Sequence, residues 1–551
     1  MDETNRREEI RRGVDKTMAV SNDQKKTFDA IWGLLNRLRG GVHANDIEMH
    51  IVGILFYRFV SEKITDYIDK GEDDPNFSYA NLTDEEAEQA RNGLTEELGY
   101  FILPSNLFQN IAKQKTDKDF NIILGNAFRR FDESARGAKS EKDFSGLLSD
   151  IDFSTPRLGP TVADRNKVIV DIFDVFEKLD IDYTNADNDI FGDIYEYLMH
   201  KFASNAGKSG GEFYTPQPVS TLLAKLGLHE QKKTIKNVYD PACGSGSLLL
   251  QVKKQLGKDG DGIKYYGQEI NVTTQNICRM NMIVHGVNYD KFDIALGDTL
   301  TDPKHLDYAP FDVIVSNPPY STIWAGSDNP TLINDERFAP AGVLAPKSKA
   351  DLAFTMHILS MLSDTGKAAI VEFPGVLYRG GAEQKIRKYL VDNNYVEAII
   401  QLPDNMFYGV SIATCIIILS KHKADEKVLF VDASNCYIHE GNKNKLSDEN
   451  INLIDNTVSD RKDIDHFAKL VDNDKIGEEA YNLSVSTWVE KEDTREKIDI
   501  TELNNRIADI VKCEQELRNK IDAIVAEIDI DNDNNSNTKD AQNNGRQNEK
   551  A

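Results

Sequence analysis

An alternation of short apolar runs with helical patterns between residues 235 and 431 constrains the fold of this chain more than any other feature. Strands separated by helices predict a parallel, doubly wound α/β sheet, because parallel neighbours need a crossover connection that a helix usually supplies. Before this region, helical spacing over 45–68, 164–180 and 188–203 predicts a helical domain. The apolar runs are 235–240, 263–269, 292–296, 311–316, 367–373, 396–401, 412–420 and 427–431.

Composition divides the chain further. The glycine-rich segment 204–212 predicts a domain boundary or a flexible hinge, and the Asn/Asp-rich stretch from Asp529 onward predicts disorder. The predicted divisions are a flexible segment 1–24, a helical domain 25–203, an α/β domain 204–440, a C-terminal region 441–528 that ends in a helix, and a disordered tail 529–551.

The helix predicted over 501–528 has apolar residues at heptad spacing, with Glu514 as the one departure. Such a stripe is typical of a coiled-coil seam that needs a partner helix, and equally of an amphipathic helix packed on its own domain. The stripe consists of Leu503, Ile507, Ile510, Leu517, Ile521, Ile524 and Ile528.

Charge and composition limit the classes of partner. The formal net charge is −26, so the chain should not bind nucleic acid unaided, because affinity for phosphates is largely electrostatic. No apolar run approaches the ~20 residues of a membrane helix, and the charged first residues precede no apolar signal segment. The five cysteines form no close pair in sequence. These features predict a cytoplasmic protein without a disulfide framework or a structural zinc site.

The first chemical motif is a strand that runs into the glycine-rich turn Asp240-Pro-Ala-Cys-Gly-Ser-Gly-Ser247 and then directly into an apolar helix. Glycines allow a ligand to approach the backbone, and the start of a helix offers free N–H groups. Leu249 stands where a dinucleotide-binding GxGxxG motif needs its third glycine. A phosphate-binding P-loop at Gly207-Lys208-Ser209 is also excluded, because Phe202 replaces the required glycine.

Carboxylates stand at the ends of the next two predicted strands. Glu269 ends the second strand, where a carboxylate can accept hydrogen bonds from both hydroxyls of a ribose. Asp298 ends the third strand and is placed to contact the edge of an adenine ring. The order of the glycine turn, Glu269 and Asp298 predicts a nucleoside-containing cofactor.

The most informative motif is Asn317-Pro318-Pro319-Tyr320, which follows a predicted buried strand. An exocyclic amino nitrogen is a poor nucleophile because its lone pair is delocalised. The Asn317 side-chain oxygen and the Pro318 carbonyl can accept both of its N–H bonds, which directs the lone pair toward a methyl donor. The prolines restrict the backbone, and Tyr320 can stack on a planar base taken out of a duplex.

In this combination of motifs the chain resembles S-adenosylmethionine-dependent amino-methyltransferases, and within them the modification subunits of type I restriction–modification systems. The resemblance extends from about Lys25 to Ile528. The blocks that narrow it are LRG (38–40), ILFYRFVSEK (54–63), GEFYTPQ (211–217), KADLAFTMHIL (349–359), FPGVLYRGGAEQKIRKYL (373–390) and LPDNMFYGVSIATCIIIL (402–419). The implied fold is a Rossmann-like α/β methyltransferase domain preceded by an α-helical domain and followed by a C-terminal helix.

The resemblance also implies roles for individual residues. The turn Asn317 to Tyr320 would bind the target adenine, and Phe407 matches the aromatic on the other face of the flipped base, although Phe407 could equally be a core residue. No metal ligands are implied. The residues that would hold S-adenosylmethionine are Glu212, Phe213, Tyr214, Thr215, Pro216, Gln217, Asp240, Gly244, Ser245, Gly246, Ser247, Glu269 and Asp298.

The implied reaction is methylation of adenine N6 in duplex DNA, within the cytoplasm of a bacterium or archaeon. Family members of this kind read DNA through a specificity subunit, usually one for two methylating subunits, and a restriction subunit can join them. A partner that reads DNA would account for the net charge of −26. A stand-alone DNA methyltransferase, a protein-glutamine or RNA amino-methyltransferase, and a non-catalytic assembly subunit remain the alternatives.

Overall fold

Each of the eight apolar runs overlaps a strand, and three further strands follow beyond the last run. The structure, a computed structural model, describes residues 44–179, 190–206, 214–229, 235–492 and 500–543, with the single positions 28, 31 and 33. The strands are β1 (Asn237–Asp240), β2 (Lys264–Glu269), β3 (Phe292–Leu296), β4 (Phe311–Ser316), β5 (Leu362–Glu372), β6 (Val396–Gln401), β7 (Cys415–Ser420), β8 (Lys427–Asp432), β9 (Ile438–Glu440), β10 (Lys443–Lys445) and β11 (Ala468–Asp472).

Helices precede the sheet and alternate with its strands. The described helices of eight residues or more are α1 (Ala44–Asp69), α2 (Arg91–Leu98), α3 (Phe120–Ser134), α4 (Val162–Glu177), α5 (Ile190–Ala206), α6 (Gln217–Leu228), α7 (Ser247–Leu256), α8 (Val272–Val284), α9 (Asp351–Met361), α10 (Ala382–Asp392), α11 (Asp448–Asp460) and α12 (Ile500–Asn543). Shorter helices span Asp84–Glu88, Phe108–Ala112, Glu141–Phe144, Asn473–Glu478 and Val485–Trp488. The helical domain predicted before the sheet is confirmed, and no described residue before β1 belongs to a strand.

Nine strands form one sheet in the order β11-β8-β6-β7-β5-β4-β1-β2-β3. The neighbours from β3 to β5 are all parallel, as predicted, but β7 runs antiparallel to β5 and β6, and β11 runs antiparallel to β8. The predicted parallel sheet is therefore confirmed from β3 to β5, and β7 and β11 depart from it. The connection 402–414 contains no crossover helix, so β7 returns beside β6 in the opposite direction.

The sheet is buried on both faces. Along β4, Val313 and Val315 belong to one apolar core and Ile314 to the other, because successive side chains point to opposite faces. Leu249 of α7 packs in the first core, and Met356 of α9 packs in the second. The predicted Rossmann-like α/β fold is confirmed, and its carboxyl edge carries the segments that follow β1, β2, β3 and β4.

The helical region and the sheet belong to one compact unit, Met1–Glu490. Tyr195 of α5 donates a hydrogen bond to the Ile277 carbonyl of α8 at 3.0 Å, and Arg279 of α8 donates to the Lys142 carbonyl at 3.0 Å. Both contacts join the predicted helical domain to the α/β domain. At residue 204 helix α5 continues to Ala206, and beyond residue 440 strand β11 still adds to the sheet. Residues 207–213 of the predicted hinge lie outside the described residues.

The second unit, Lys491–Ala551, contains α12. The apolar side chains of its stripe from Leu503 to Ile524 are exposed. The helix continues to Asn543, through a stretch whose composition predicts disorder. Extending an existing helix carries no nucleation cost, which favours helix even in this Asn/Asp-rich sequence. Among the described helices, none is long and apolar enough to span a membrane.

Candidate active site

The glycine-rich turn joins the carboxyl end of β1 to the first turn of α7. Gly244 and Gly246 have φ angles of +53° and +81°, a backbone region that favours glycine. A Cβ atom on Gly246 would lie 2.7 Å from the Sγ atom of Cys278 on α8. Both conformation and space therefore require glycine at 246, which leaves the backbone open at the start of α7.

Asp240 begins this turn and is fully buried. Its Oδ1 atom accepts hydrogen bonds from the Ala242 N–H at 3.0 Å and from Ser316 Oγ at 2.9 Å. Burial raises the pKa of the Asp240 carboxyl to about 7, although these two hydrogen bonds oppose the shift. Among the described residues, Asp240 Oδ2 and Ser247 Oγ have no hydrogen-bond partner despite being buried. The turn thus holds polar atoms that a ligand could satisfy.

Glu269 lies at the end of β2 and contacts the glycine turn directly. Its carboxylate accepts hydrogen bonds from the Gly244 N–H at 3.2 Å and from the Asn271 N–H at 2.9 Å. Burial raises the pKa of Glu269 above its usual value. Ile270, which the sequence reasoning missed, is 70% exposed beside it, and an apolar residue directly after a strand-end carboxylate was the available signal. A carboxylate and an apolar surface therefore border one side of the turn.

Asp298 follows β3 at the same edge of the sheet, because β1, β2 and β3 are parallel neighbours. Its side chain is half-buried and accepts hydrogen bonds from the Leu300 N–H at 3.0 Å and from Thr301 Oγ1 at 2.7 Å. The predicted order of glycine turn, Glu269 and Asp298 is thus the spatial order of three adjacent strand ends.

Asn317 follows β4, which lies on the other side of β1. Its Nδ2 atom donates a hydrogen bond to Thr215 Oγ1 at 3.0 Å, and its Oδ1 atom accepts one from the Tyr320 phenol at 2.5 Å. Pro318 is buried and Pro319 is half-buried. The Thr215 hydroxyl, which the sequence predicts to contact a cofactor, accepts the hydrogen bond from Nδ2 and so orients the Asn317 amide.

The remaining residues predicted to contact a cofactor differ in burial, and two of them lie outside the described part of the chain. Glu212 and Phe213 lie outside the described residues. Tyr214 is buried, with its ring centroid 6.0 Å from that of His200 and 6.4 Å from that of Tyr408. Pro216 is half-buried, and Gln217 is exposed at the start of α6. Ser245 is buried in the glycine turn, where its carbonyl accepts a hydrogen bond from Asn281 Nδ2 at 2.9 Å.

Phe407 meets Tyr320 edge to face, with ring centroids 6.2 Å apart and ring planes at 86°. Phe407 is only 1% exposed and belongs to the apolar core, as the alternative interpretation from sequence allows. Lys443 holds this segment by donating hydrogen bonds to Asn405 Oδ1 at 2.9 Å and to the Phe407 carbonyl at 2.7 Å. A base could stack on Phe407 only after this ring pair moves, so that role stays a prediction.

Two buried carboxyls behind the Asn317 turn escaped the sequence reasoning. Asp351 accepts a hydrogen bond from the Ser321 N–H at 3.0 Å, and Glu372 accepts one from Thr355 Oγ1 at 2.9 Å. Burial and the neighbouring Asp351 raise the pKa of Glu372 well above its usual value. The block KADLAF contains Asp351, but its contact with Ser321 depends on how two distant segments pack.

Metal-binding geometry is absent from the part of the chain that the structure describes, in which no three His, Cys, Asp or Glu side chains form a cluster. The sheet instead brings a glycine turn flanked by carboxylates and the Asn317 turn to neighbouring strand ends at one edge. Ser316 bonds to Asp240, so the strand end before Asn317 touches the first residue of the glycine turn. A donor held on the turn would lie next to a planar amine held at Asn317.

Comparisons with known proteins agree with this geometry. Residues 186–497 match the N-6 DNA methylase family, and residues 28–176 match the HsdM N-terminal domain. The chain is 44% identical over 550 residues to the type I restriction enzyme MpnII methylase subunit of Mycoplasma pneumoniae, covering 96% of this chain and 98% of that protein. It is 35% identical over 374 residues to the MjaVIII methylase subunit of Methanocaldococcus jannaschii, covering 65% of this chain and 63% of that protein.

A solved structure supports the same assignment. The type I restriction–modification methyltransferase subunit of Streptococcus thermophilus is 33% identical and superposes with a TM-score of 0.77. The match covers 85% of this chain and all of that one. The chain therefore belongs to the N-6 DNA methylase family and, within it, to the methylase subunits of type I restriction enzymes.

Proposed function

We propose that this methylase subunit uses S-adenosylmethionine to methylate N6 of adenine in duplex DNA. The donor set fits that cofactor. The glycine turn from Asp240 to Ser247 would take its methionine end, Glu269 its ribose hydroxyls and Asp298 its adenine edge. The unpartnered buried atoms Asp240 Oδ2 and Ser247 Oγ support a polar ligand at this place. The exposed Ile270 offers an apolar surface for a flat ring.

The segment before α6 would complete the cofactor site. Glu212 to Gln217 would cover the methionine end, with Thr215 also orienting Asn317. S-adenosylmethionine would supply a methyl group on a positively charged sulfur. No metal ion is needed for that transfer, because the sulfur already activates its methyl group.

The target adenine would bind at Asn317-Pro318-Pro319-Tyr320. Asn317 Oδ1 and the Pro318 carbonyl would accept the two N–H bonds of N6, so that the nitrogen lone pair points toward the glycine turn. The cofactor would supply the methyl group and keep the electron pair of the S–C bond, and Asn317 and Pro318 would hold N6 until it loses one proton to water. The chain would contribute to catalysis mostly by positioning the two reactants and by presenting preorganised acceptors for the N6 protons. The observation that carries this proposal is the Ser316–Asp240 hydrogen bond of 2.9 Å, which joins the two motifs.

The proposal includes partners. A net charge of −26 disfavours unaided binding to DNA, so a specificity subunit would read the sequence, with two methylating subunits for each specificity subunit. The exposed stripe from Leu503 to Ile524 on α12 would contact that partner, and a restriction subunit could join. The complex would work in the cytoplasm of a bacterium or archaeon, where chromosomal DNA is accessible.

Tritiated methyl transfer to unmodified duplex DNA tests the proposal, with the chain alone and with its specificity protein co-expressed. We expect label on adenine only with the partner present. Asn317→Ala should abolish transfer and leave cofactor binding largely intact, whereas Asn76→Ala, at an exposed asparagine of the helical region, should change neither. Label with the chain alone would indicate a stand-alone methyltransferase. Label on protein or RNA instead would contradict the proposed substrate.

A further inference from the structure

Arg337 is a buried arginine in the segment between the Asn317 turn and α9, and every one of its side-chain N–H groups has an acceptor. Its Nη1 atom contacts the Thr299 carbonyl at 2.9 Å and His357 Nδ1 at 3.1 Å. Its Nη2 atom contacts the Leu300 carbonyl at 2.8 Å and Asp335 Oδ2 at 2.8 Å. Its Nε atom donates to Asp335 Oδ1 at 3.0 Å. The guanidinium is therefore fully committed to four neighbours.

The two backbone carbonyls that Arg337 holds belong to the turn that carries Asp298. The peptide between Thr299 and Leu300 donates its N–H to Asp298 Oδ1 and accepts from Arg337 at its carbonyl, so the carboxylate and the guanidinium restrain it from both sides. Thr299 Oγ1 donates to the Pro241 carbonyl at 2.5 Å, which links this turn to the glycine turn. Arg337 thus lies behind two of the three strand ends of the candidate cofactor site.

His357 extends this contact to β1. The ring is buried, and burial lowers its pKa to about 3, so it is neutral at physiological pH. Because Nδ1 faces an Arg337 N–H, it must act as acceptor, and Nε2 then carries the proton. That Nε2–H donates to the Tyr239 phenol oxygen at 3.1 Å, one residue before Asp240. The network therefore connects Arg337 both to the Asp298 turn and to the end of β1 next to Asp240.

We infer that Arg337 is a positioning residue for the adenosine end of the methyl donor. It would act by holding the Asp298 turn in place. This inference rests on the proposed use of S-adenosylmethionine. A planar, forked guanidinium can reach two carbonyls, an imidazole and a carboxylate at once, whereas a lysine ammonium offers three donors from a single point. Lysine at this position would keep the charge and lose at least one carbonyl contact, so the Asp298 turn would become less ordered.

Calorimetric titration of the full-length chain with S-adenosylmethionine tests the inference. For Arg337→Lys we expect Kd to rise roughly 10-fold or more, the loss that one charged hydrogen bond corresponds to. With the specificity protein present, kcat at saturating cofactor should stay within about threefold of wild type, because the Asn317 turn is unchanged. A merely structural role would not separate cofactor affinity from turnover in this way.

Arg387→Lys is the matched control. Arg387 is also buried and also donates to two backbone carbonyls, those of Val376 and Tyr481, each at 2.8 Å. Neither carbonyl belongs to the cofactor turns. This variant should lower the melting temperature as Arg337→Lys does and leave Kd for S-adenosylmethionine unchanged. Equal weakening of cofactor binding by both variants would overturn the inference in favour of general destabilisation.

Two further outcomes separate this inference from the proposed function. If the wild-type chain binds S-adenosylmethionine and Arg337→Lys binds it with the same Kd, the positioning role is overturned and the proposed function is not. A wild-type chain that binds no S-adenosylmethionine would overturn the proposed function and this inference with it. Should Arg337→Lys fail to fold, Tyr239→Phe removes only the phenol oxygen that receives the His357 Nε2–H. Cofactor affinity unchanged in that variant would equally contradict the network.

Discussion

The Tyr320 phenol donates a hydrogen bond to Asn317 Oδ1 at 2.5 Å. This oxygen is the acceptor that we propose for an N–H of adenine N6. The same ring meets Phe407 edge to face. Binding of the proposed adenine at Asn317 Oδ1 would therefore require the Tyr320 phenol to give up its hydrogen bond to that oxygen.

Tyr320 variants should separate two effects of this residue: stacking of its ring on the base, and competition of its hydroxyl with adenine N6 for Asn317 Oδ1. Tyr320→Phe keeps the ring and removes the hydroxyl, so we expect methyl transfer at or above the wild-type rate and a lower KM for DNA. Tyr320→Ala removes the stacking surface, worth about 1–3 kcal/mol for a base on an aromatic ring, and should reduce kcat/KM by roughly 10- to 100-fold. Steady-state methyl transfer with both variants measures the difference. If Phe and Ala reduce transfer equally, the hydroxyl has a direct role in the reaction.

Asp351 should position the target-binding turn. Ser321, which follows Tyr320, has a φ of +51°, a conformation that costs roughly 1 to 3 kcal/mol outside glycine and persists only when its surroundings hold it. Asp351 accepts the Ser321 N–H, and the Ala350 N–H donates to the Thr322 carbonyl at 2.9 Å. Asp351→Ala should lower kcat about 10-fold or more, with unchanged Kd for the cofactor.

Asp351→Asn is the control for that prediction, because its amide oxygen can still accept the Ser321 N–H. We expect it to recover most of the turnover that alanine loses. Equal loss in both variants would show that the charge of Asp351, rather than its acceptor, is required.

Stability should depend on pH through Asp240, whose pKa burial raises from 3.8 to about 7. Between these values the folded chain binds more protons than the unfolded chain, so this residue lowers the free energy of unfolding as pH rises. Asp240→Asn should remove this cost. Urea unfolding at pH 5 and pH 8 should therefore show the variant gaining roughly 2 to 3 kcal/mol over wild type across that interval. Parallel pH profiles for the two proteins would contradict the assignment.

Gly246 should tolerate no side chain, for two separable reasons. A Cβ atom would approach Cys278 Sγ to 2.7 Å, and the φ of +81° is unfavourable for alanine by about 1–2 kcal/mol. Gly246→Ala should destabilise the chain and weaken S-adenosylmethionine binding. Adding Cys278→Ala should relieve the steric contact and recover part of the stability, leaving the backbone cost. Thermal melting and calorimetry of the single and double variants measure both parts, and Cys278→Ala alone is the control.

The predictable part of the fold consists of features encoded locally. Strand β3 occupies 292–296 and β4 occupies 311–316, as their apolar runs predict, because a run of that length bounded by polar turns has few alternatives. The reversal of β7 was missed, since its apolar residues read the same in either direction. The contact between Tyr195 and Ile277 was also missed, because it joins residues far apart in the chain.

The candidate site divides in the same way. Spacing and residue type alone determined that the glycine turn, Glu269, Asp298 and the Asn317 turn follow successive strands and so meet at one edge of the sheet. Only the tertiary structure decided that Phe407 lies in the core, that Thr215 contacts Asn317, and that Arg337 stands behind the Asp298 turn. Motifs can be identified from sequence because each forms within a few residues. These contacts, in contrast, depend on the packing of segments that no local pattern connects.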